Sequence, residues 1–260
     1  MKKFRDIFIW TLVVGYAILA FGFVAEKQKA LVCNNVEVII VDSLKNRFVE
    51  KENILRLLER RGIKLIGRSF NDIDLSKTEA IINEYPPVKK AEVYKTANGS
   101  IVIDLKQRNP ILRIFDRNNE TFYIDEDGYL MKTSGNFTSH VIIANGNIGV
   151  NFQVTSKTNV TKFKGKQKIF ADLYFLSKYI ANDKFWNAQI QQIYVNTSGD
   201  IELVPSVGSH VIVFGDYSDC ETKFDNLMSL YKNGLPAKGW NTYETINLKY
   251  KGQVICTKRE

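Results

Sequence analysis

The sequence predicts an α+β protein carried on a single N-terminal transmembrane helix, and three observations predict it. Ile7 to Ala25 is a run of nineteen residues without a charged side chain. Residues 36–107 follow the order strand, helix, helix, strand, strand. From Ile111 onward, short alternating runs are interrupted by amphipathic helical stretches, the pattern of a mixed β-sheet domain with helices packed on it.

The apolar run sets the topology. At ~1.5 Å rise per residue it covers about 28 Å, the hydrocarbon thickness of a bilayer. As a helix it satisfies its own backbone groups in lipid, with Ile7, Trp10, Val14, Ile18 and Phe21 as anchor residues. Lys2, Lys3 and Arg5 precede it; Glu26, Lys27 and Lys29 follow. The basic excess before the span directs the N-terminus to the cytoplasm, leaving residues 1–6 as a short tail. A cleaved signal peptide is the competing reading. The apolar core exceeds the usual 7–15 residues, and Phe23-Val24-Ala25 is a poor cleavage site because Phe23 is bulky. Leu31-Val32-Cys33 is weakly like a lipoprotein site, with Val32 too large and Cys33 too far from the core.

Beyond a linker at 26–35, the first domain is expected over residues 36–109. Val36 to Val41 is β-branched and reads as a strand. Glu50 to Arg61 reads as a helix, with Ile54, Leu57, Leu58 and Arg61 on one face and Gly62 as its stop. Leu75 to Tyr85 reads as a second, with Leu75, Thr78, Ile81, Ile82 and Tyr85 on its apolar side. Pro86-Pro87 ends it, since proline disfavours helix at the residue before it. Val88 to Lys95 and Ile101 to Gln107 are strands joined through Asn98-Gly99, a strong hairpin signal.

The second domain is expected over residues 110–257. Ile111–Phe115, Thr121–Asp125, Tyr129–Met131 and Val141–Ala144 read as short strands, and Gly146–Thr161 as irregular. Gln167–Ile180 is an amphipathic helix with Ile169, Leu173, Leu176 and Ile180 in one stripe, and Phe170, Tyr174 and Phe175 as further core. Phe185-Trp186 leads into Ile190–Val195. Ile201–Val204 and Ser209–Phe214 are further strands. A helix at Ser218–Asn233 buries Phe224, Leu227, Met228 and Tyr231, and Gly234-Leu235-Pro236 stops it. The final strand is Thr245–Thr257. Ile246, Leu248, Tyr250 and Val254 point one way; Asn247, Lys249, Lys251 and Gln253 point the other. Gly252 interrupts it where a bulge or close backbone approach is expected.

Composition excludes several functions. The net charge is +8, of which +5 lies beyond residue 30, dispersed among both signs. That suits a solvated surface near an anionic membrane rather than a nucleic-acid interface. Cys33, Cys220 and Cys256 make no disulfide framework. Cys220 and Cys256 are the only pair expected to share a domain, and Cys256 reads as a buried free thiol. His140 and His210 lack metal-ligand spacing. Asp125-Glu126-Asp127-Gly128 has glycine at the fourth rather than the sixth place of a calcium loop, and is a turn. Ser206–His210 is a hairpin turn. No nucleophile–base pattern, phosphate loop or zinc-protease motif occurs, so no catalysis, cofactor, metal or small-molecule substrate is expected.

The first domain resembles a POTRA domain, through Ile73-Asp74, Ile81-Ile82, Tyr85-Pro86-Pro87-Val88-Lys89-Lys90-Ala91-Glu92-Val93 and the closing strand with Arg108-Asn109-Pro110. The whole chain resembles the FtsQ/DivIB family of bacterial cell-division proteins. The second domain carries this through Tyr123-Ile124-Asp125-Glu126-Asp127-Gly128, Trp186 with Ile190, Ile193 and Val195, Ile201-Glu202-Leu203, Val213-Phe214-Gly215, Lys223-Phe224 and Ile246-Asn247-Leu248-Lys249-Tyr250. Asn247 stands where the family has aspartate, Phe214 and Phe224 where it has leucines, and the cytoplasmic tail is short. The resemblance implies a scaffold in the inner membrane that recruits FtsB- and FtsL-like coiled-coil membrane proteins at the septum. FtsK-like and septal wall-synthesis proteins are further implied partners. It also implies that the C-terminal strand, Ile246 to Val254, accepts a partner strand, with Lys249 and Lys251 placed to meet acidic residues. A POTRA-containing translocation or outer-membrane assembly factor is the other class weighed, but tandem POTRA units or a barrel are not evident in the sequence.

Overall fold

The computed structural model describes residues 10–17, 19, 32–42, 47–133, 135, 137–150, 155 and 158–260. Residues 10–17 are helical, with Trp10, Val14 and Tyr16 exposed. No helix among the described residues is long and apolar enough to cross a membrane. Ile7, Ile18, Phe21 and much of the expected span lie outside the described residues. The chain divides into two units, Met1–Lys45 with Val49–Gln107, and Asn46–Phe48 with Arg108–Glu260.

In the first unit, β1 (Asn35–Ile40), α1 (Lys51–Arg60), α2 (Leu75–Asn83), β2 (Val88–Lys95) and β3 (Ser100–Gln107) follow the expected order. The sheet runs β1-β3-β2, with β1 parallel and β2 antiparallel to the central strand. Ile54 and Leu58 of α1 and Thr78 and Ile82 of α2 are buried. On β2, Val88, Ala91 and Val93 are buried. The Asp74 side chain caps α2 by accepting from Lys77 N at 2.9 Å, satisfying one of the free N–H groups of its first turn. The hairpin departs from a two-residue Asn-Gly turn. Gly99 N donates to Thr96 O at 3.3 Å, and of the loop residues only Gly99 has positive φ. The connection is therefore a turn followed by a left-handed glycine.

In the second unit, β4 (Pro110–Phe115), β5 (Thr121–Asp125), β6 (Leu130–Lys132) and β7 (Ile142–Gly146) precede α3 (Lys168–Asn182) and α4 (Lys184–Gln189). Then follow β8 (Ile190–Val195), β9 (Ile201–Pro205), β10 (Val211–Gly215), α5 (Cys220–Ser229), α6 (Leu235–Lys238), β11 (Tyr243–Asn247) and β12 (Ile255–Lys258). They form one sheet of order β12-β11-β10-β9-β8-β7-β4-β5-β6. The pairs β4–β7, β7–β8 and β10–β11 are parallel. Alternate residues such as Leu112, Ile114, Ile193, Leu203, Ile212 and Ile246 join one buried cluster with Phe170, Leu173 and Leu176 of α3 and Phe224 and Leu227 of α5. Each such side chain contributes about 1.5–3 kcal/mol, so this face holds the domain together. Asp183 caps α4 by accepting from Phe185 N and Trp186 N. Trp186 thus lies on a short helix before β8, its ring centroid 4.9 Å from that of Phe224.

Gly234-Leu235-Pro236 does not stop the helix that begins at Cys220. The chain passes through a π-turn, Leu230–Gly234, directly into α6. Pro236 lies in the first turn of α6, where its missing N–H costs little. A Cβ on Gly234 would lie 2.5 Å from Leu230 Cδ1, so a larger residue there requires the end of that side chain to shift.

The expected final strand is two strands. Ile246 and Asn247 belong to β11, which is flanked by β10 on one side and β12 on the other. Leu248, Lys249, Tyr250, Lys251, Gly252, Gln253 and Val254 form the connection between them. Asn247 Oδ1 accepts from Lys249 N at 3.0 Å and turns the chain out of the sheet. Gln253 N then donates to Tyr250 O at 3.2 Å. Gly252, with φ +71°, takes the third position of that turn, which favours glycine for its positive φ. It is a turn residue rather than a bulge, and a Cβ on it would meet nothing within 4 Å. Cys256 is half-buried rather than buried, and all three cysteines are free.

Candidate functional site

A sheet edge is a site when its outward N–H and C=O groups are unpaired and reachable. Of the edges present, two are closed by the chain itself. Along β2, Ala91 N donates to Asn83 Oδ1 at 2.8 Å and Val93 N to Glu79 Oε2 at 3.2 Å. Side chains of α2 therefore take the places of a partner's carbonyls. Beside β6, Leu130 N donates to Thr158 O at 3.0 Å, and Tyr129 makes a bridge with Asn159. β1 and β12 carry no such cover among the described residues.

The geometry of β12 fixes which groups it offers. Its register against β11 pairs Asn247 with Ile255, Ile246 with Cys256 and Thr245 with Thr257. Arg259 N donates to Thr242 O at 3.0 Å, so that residue faces β11. Backbone direction alternates along a strand. The N–H and C=O of Ile255 and Thr257 therefore face β11, and those of Cys256 and Lys258 face outward. Side chains alternate as well. Cys256 lies on the face of buried Ile246 and packs against the core margin, while Ile255 is 45% exposed on the opposite face.

The β11–β12 connection forms one wall of a cavity of about 190 Å³ against the first turn of α5, lined by Thr222, Lys223, Leu248, Tyr250 and Gly252 among others. Lys249 is already engaged. Its Nζ lies 2.6 Å from Asp200 Oδ2, and the hydrogen bond to that carboxylate raises its pKa, with the Asp200 charge adding to the effect. The stem of Lys249 also crosses Gly215, where a Cβ would lie 2.8 Å from its Cγ. Lys251 is exposed and makes no ion pair among the described residues. Tyr250 is 56% exposed. Of the nine-residue segment Ile246–Val254 expected to accept a partner within the strand Thr245–Thr257, only Ile246 and Asn247 are in a strand at all, and neither is at the edge. The edge residues Ile255, Cys256, Thr257 and Lys258 lie just beyond it. The signal that identifies them is the turn Tyr250–Gln253 with glycine third.

Two distant sequence elements meet in the same unit and are structural. Arg108 Nη1 lies 2.7 Å from Asp125 Oδ2, with both side chains buried, and the guanidinium is 4.7 Å from the Tyr129 ring centroid. Asp125 Oδ1 accepts from Asp127 N and Tyr129 N. Burial pushes the Asp125 carboxyl above the usual range in spite of those donors. His210, buried to 2%, shares a 2.8 Å hydrogen bond with the Tyr231 hydroxyl. Its Nδ1 lies near the Trp240 carbonyl without a hydrogen bond of normal geometry. Neither group is arranged to receive a substrate. Among the described residues no three His, Cys, Asp or Glu side chains could hold a metal ion.

Comparison with known families gives two matches. A family model described as FtsQ/DivIB, C-terminal related, matches residues 109–257. A model described as a POTRA-like domain matches residues 31–106. No curated protein matches the chain.

Proposed function

Given that the chain belongs to the FtsQ/DivIB family, we propose that it is a non-catalytic cell-division scaffold of the inner membrane. It is anchored by residues 7–25, with the two units on the outer side at the septum. It recruits FtsB- and FtsL-like coiled-coil membrane proteins, and it does so by accepting a strand along β12. FtsK-like and septal wall-synthesis proteins are its further partners. The observation that carries this reading is the open edge of β12. Cys256 and Lys258 direct their backbone groups away from β11, and no described residue pairs with them. An incoming strand would gain main-chain hydrogen bonds there, and its alternate side chains would extend the core beside Cys256 and cover Ile255.

A photocrosslinking residue at Ile255 in dividing cells tests the reading. Capture of a small coiled-coil membrane protein is expected. A chain that is expressed and membrane-bound but captures no such protein at Ile255 or Lys258 would refute the docking edge. Depletion should give filaments with segregated chromosomes, and normal septation would refute the division role.

A further inference from the structure

Of the two histidines in the chain, His140 is exposed and His210 is buried directly before β10. One edge of the His210 ring is held by the Tyr231 hydroxyl of the π-turn, through the hydrogen bond to Nε2. Gly208 lies over the other edge, where a Cβ would be 2.6 Å from Cε1 and 2.7 Å from Nδ1 of the imidazole. The same Cβ would be 3.2 Å from the Trp240 carbonyl oxygen, so that group closes the site beside Nδ1. Nδ1 itself is buried with no hydrogen-bond partner. A buried nitrogen left open in this way is a place for a proton.

The cover over the ring is the end of the β11–β12 pair. Trp240 and Asn241 lead into β11, and Arg259 follows β12. Arg259 N donates to Thr242 O at 3.0 Å, and its guanidinium donates to the carbonyl of Ser209, the neighbour of His210. Asn241 and Arg259 are exposed and Trp240 is half-buried, so the cover is thin. The other sides are core: β10 lies between β9 and β11, and the Tyr231 ring centroid is 5.6 Å from that of Trp186. Two ionisable groups face the imidazole, Tyr231 from the π-turn and Arg259 from beyond β12. Burial pushes the Tyr231 hydroxyl up to about 12, so it stays neutral. Gln189 of α4, which donates to the Val207 carbonyl, carries no charge. Glu244 on β11 and Glu260 at the chain end are exposed, and neither acts on the ring. The charge nearest in effect is therefore that of Arg259, of the same sign as an imidazolium.

We propose that His210 is a proton-operated latch on the C-terminal strand. When the ring takes a proton from solvent, imidazolium and guanidinium repel, and the Trp240–Thr242 segment parts from Arg259 to admit water. That end opens first because it is held by the fewest buried contacts. β12 then loses its pairing at Lys258, and the outward groups of Cys256 and Lys258 lose their alignment. The consequence for docking rests on the reading of β12 as the docking edge; the latch does not. Burial and the Arg259 charge disfavour the charged ring, with the Trp240 carbonyl acting against them. The open end thus binds a proton that the closed end refuses. The latch is shut above about pH 6.5 and loosens below it.

Native-state hydrogen exchange of the full chain in phosphatidylcholine nanodiscs, from about pH 7.5 to 5.5, reads the latch without a partner. After correction for intrinsic exchange, protection of the Thr257 and Arg259 amides should fall below about pH 6.5, by at most about tenfold per pH unit. The Ile193 and Leu203 amides, in internal strands, should keep theirs. His210→Gln, which can still bond Tyr231, should hold the Thr257 and Arg259 protection constant, and His140→Gln should leave the fall unchanged. Arg259→Gln should lower protection at every pH through the lost Ser209 bond, yet shrink the acid loss. Protection at Thr257 and Arg259 that ignores pH in the parent, or a fall that persists in His210→Gln, would overturn the proposal. So would an equal fall at Ile193 and Leu203, since the transition would then be unfolding of the whole unit. The Ile255 crosslink bears on the docking edge alone, so the two failures are distinguishable.

Discussion

Two neighbouring proline substitutions separate the role of β12 in the fold from its role as an edge. Thr257 directs its N–H to β11 and Cys256 directs its N–H outward. Thr257→Pro removes a ladder hydrogen bond, a net loss of about 0.5–1.5 kcal/mol, and leaves an acceptor on β11 partly unsatisfied at about 1–3 kcal/mol. The edge is reachable by water, so about 2–3 kcal/mol is expected in all. For a domain of this size that is about 4–12 °C in melting temperature. Cys256→Pro removes no ladder bond, because proline is tolerated on an edge strand where its nitrogen faces solvent. The half-buried thiol adds only a small packing loss, so about 1 kcal/mol or less is expected. Partner binding responds in the opposite order. The incoming strand loses a donor and meets the pyrrolidine ring at position 256, at about 1–3 kcal/mol, or roughly 5- to 150-fold in affinity. The assay is paired: thermal melting of each variant, and crosslink yield from Ile255 normalised to membrane-bound protein. Cys256→Pro melting as the parent but capturing as much partner would refute strand addition. Thr257→Pro melting as the parent would refute the assigned backbone direction.

Three further perturbations follow from the packing. Asp125→Asn should destabilise the second unit by about 1–3 kcal/mol, because it weakens the charge-assisted hydrogen bond to the Arg108 guanidinium at a buried site; calorimetry measures it. Burial depresses the His210 pKa, with the Arg259 charge acting in the same direction and the Trp240 carbonyl against it. The unfolded chain therefore binds a proton that the folded one refuses. The His210 contribution is complete above about pH 6.5 and is lost as pH falls from there towards the depressed folded value, by at most about 1.4 kcal/mol per pH unit. Comparing the pH dependence of melting for His210→Phe and the parent should show that acid limb flattened in the variant, and identical slopes would refute the assignment. Gly146→Ala should cost about 2 kcal/mol or more in urea unfolding. Its φ is +100°, and a Cβ would lie 2.3 Å from the Val195 carbonyl oxygen, which is backbone and cannot yield.

By itself the sequence determined whatever rests on local periodicity and turn chemistry. Strand-helix-helix-strand-strand over residues 35–107 is legible because the Ile54/Leu58 and Thr78/Ile82 stripes repeat at helical spacing, while Pro86-Pro87 and Gly99 break the chain in the right places. The apolar stripe of α3 is legible for the same reason. Tertiary structure decided what depends on which neighbour lies beside a strand. The alternation from Ile246 to Val254 is real, yet period two is the same for one long strand as for two strands on either side of a turn. Only pairing shows that β11 is internal and β12 is the edge. The 38% exposure of Phe175, although its place on an amphipathic helix reads as core, and the meeting of Arg108 with Asp125 are likewise set by packing between elements far apart in sequence, which local pattern does not encode.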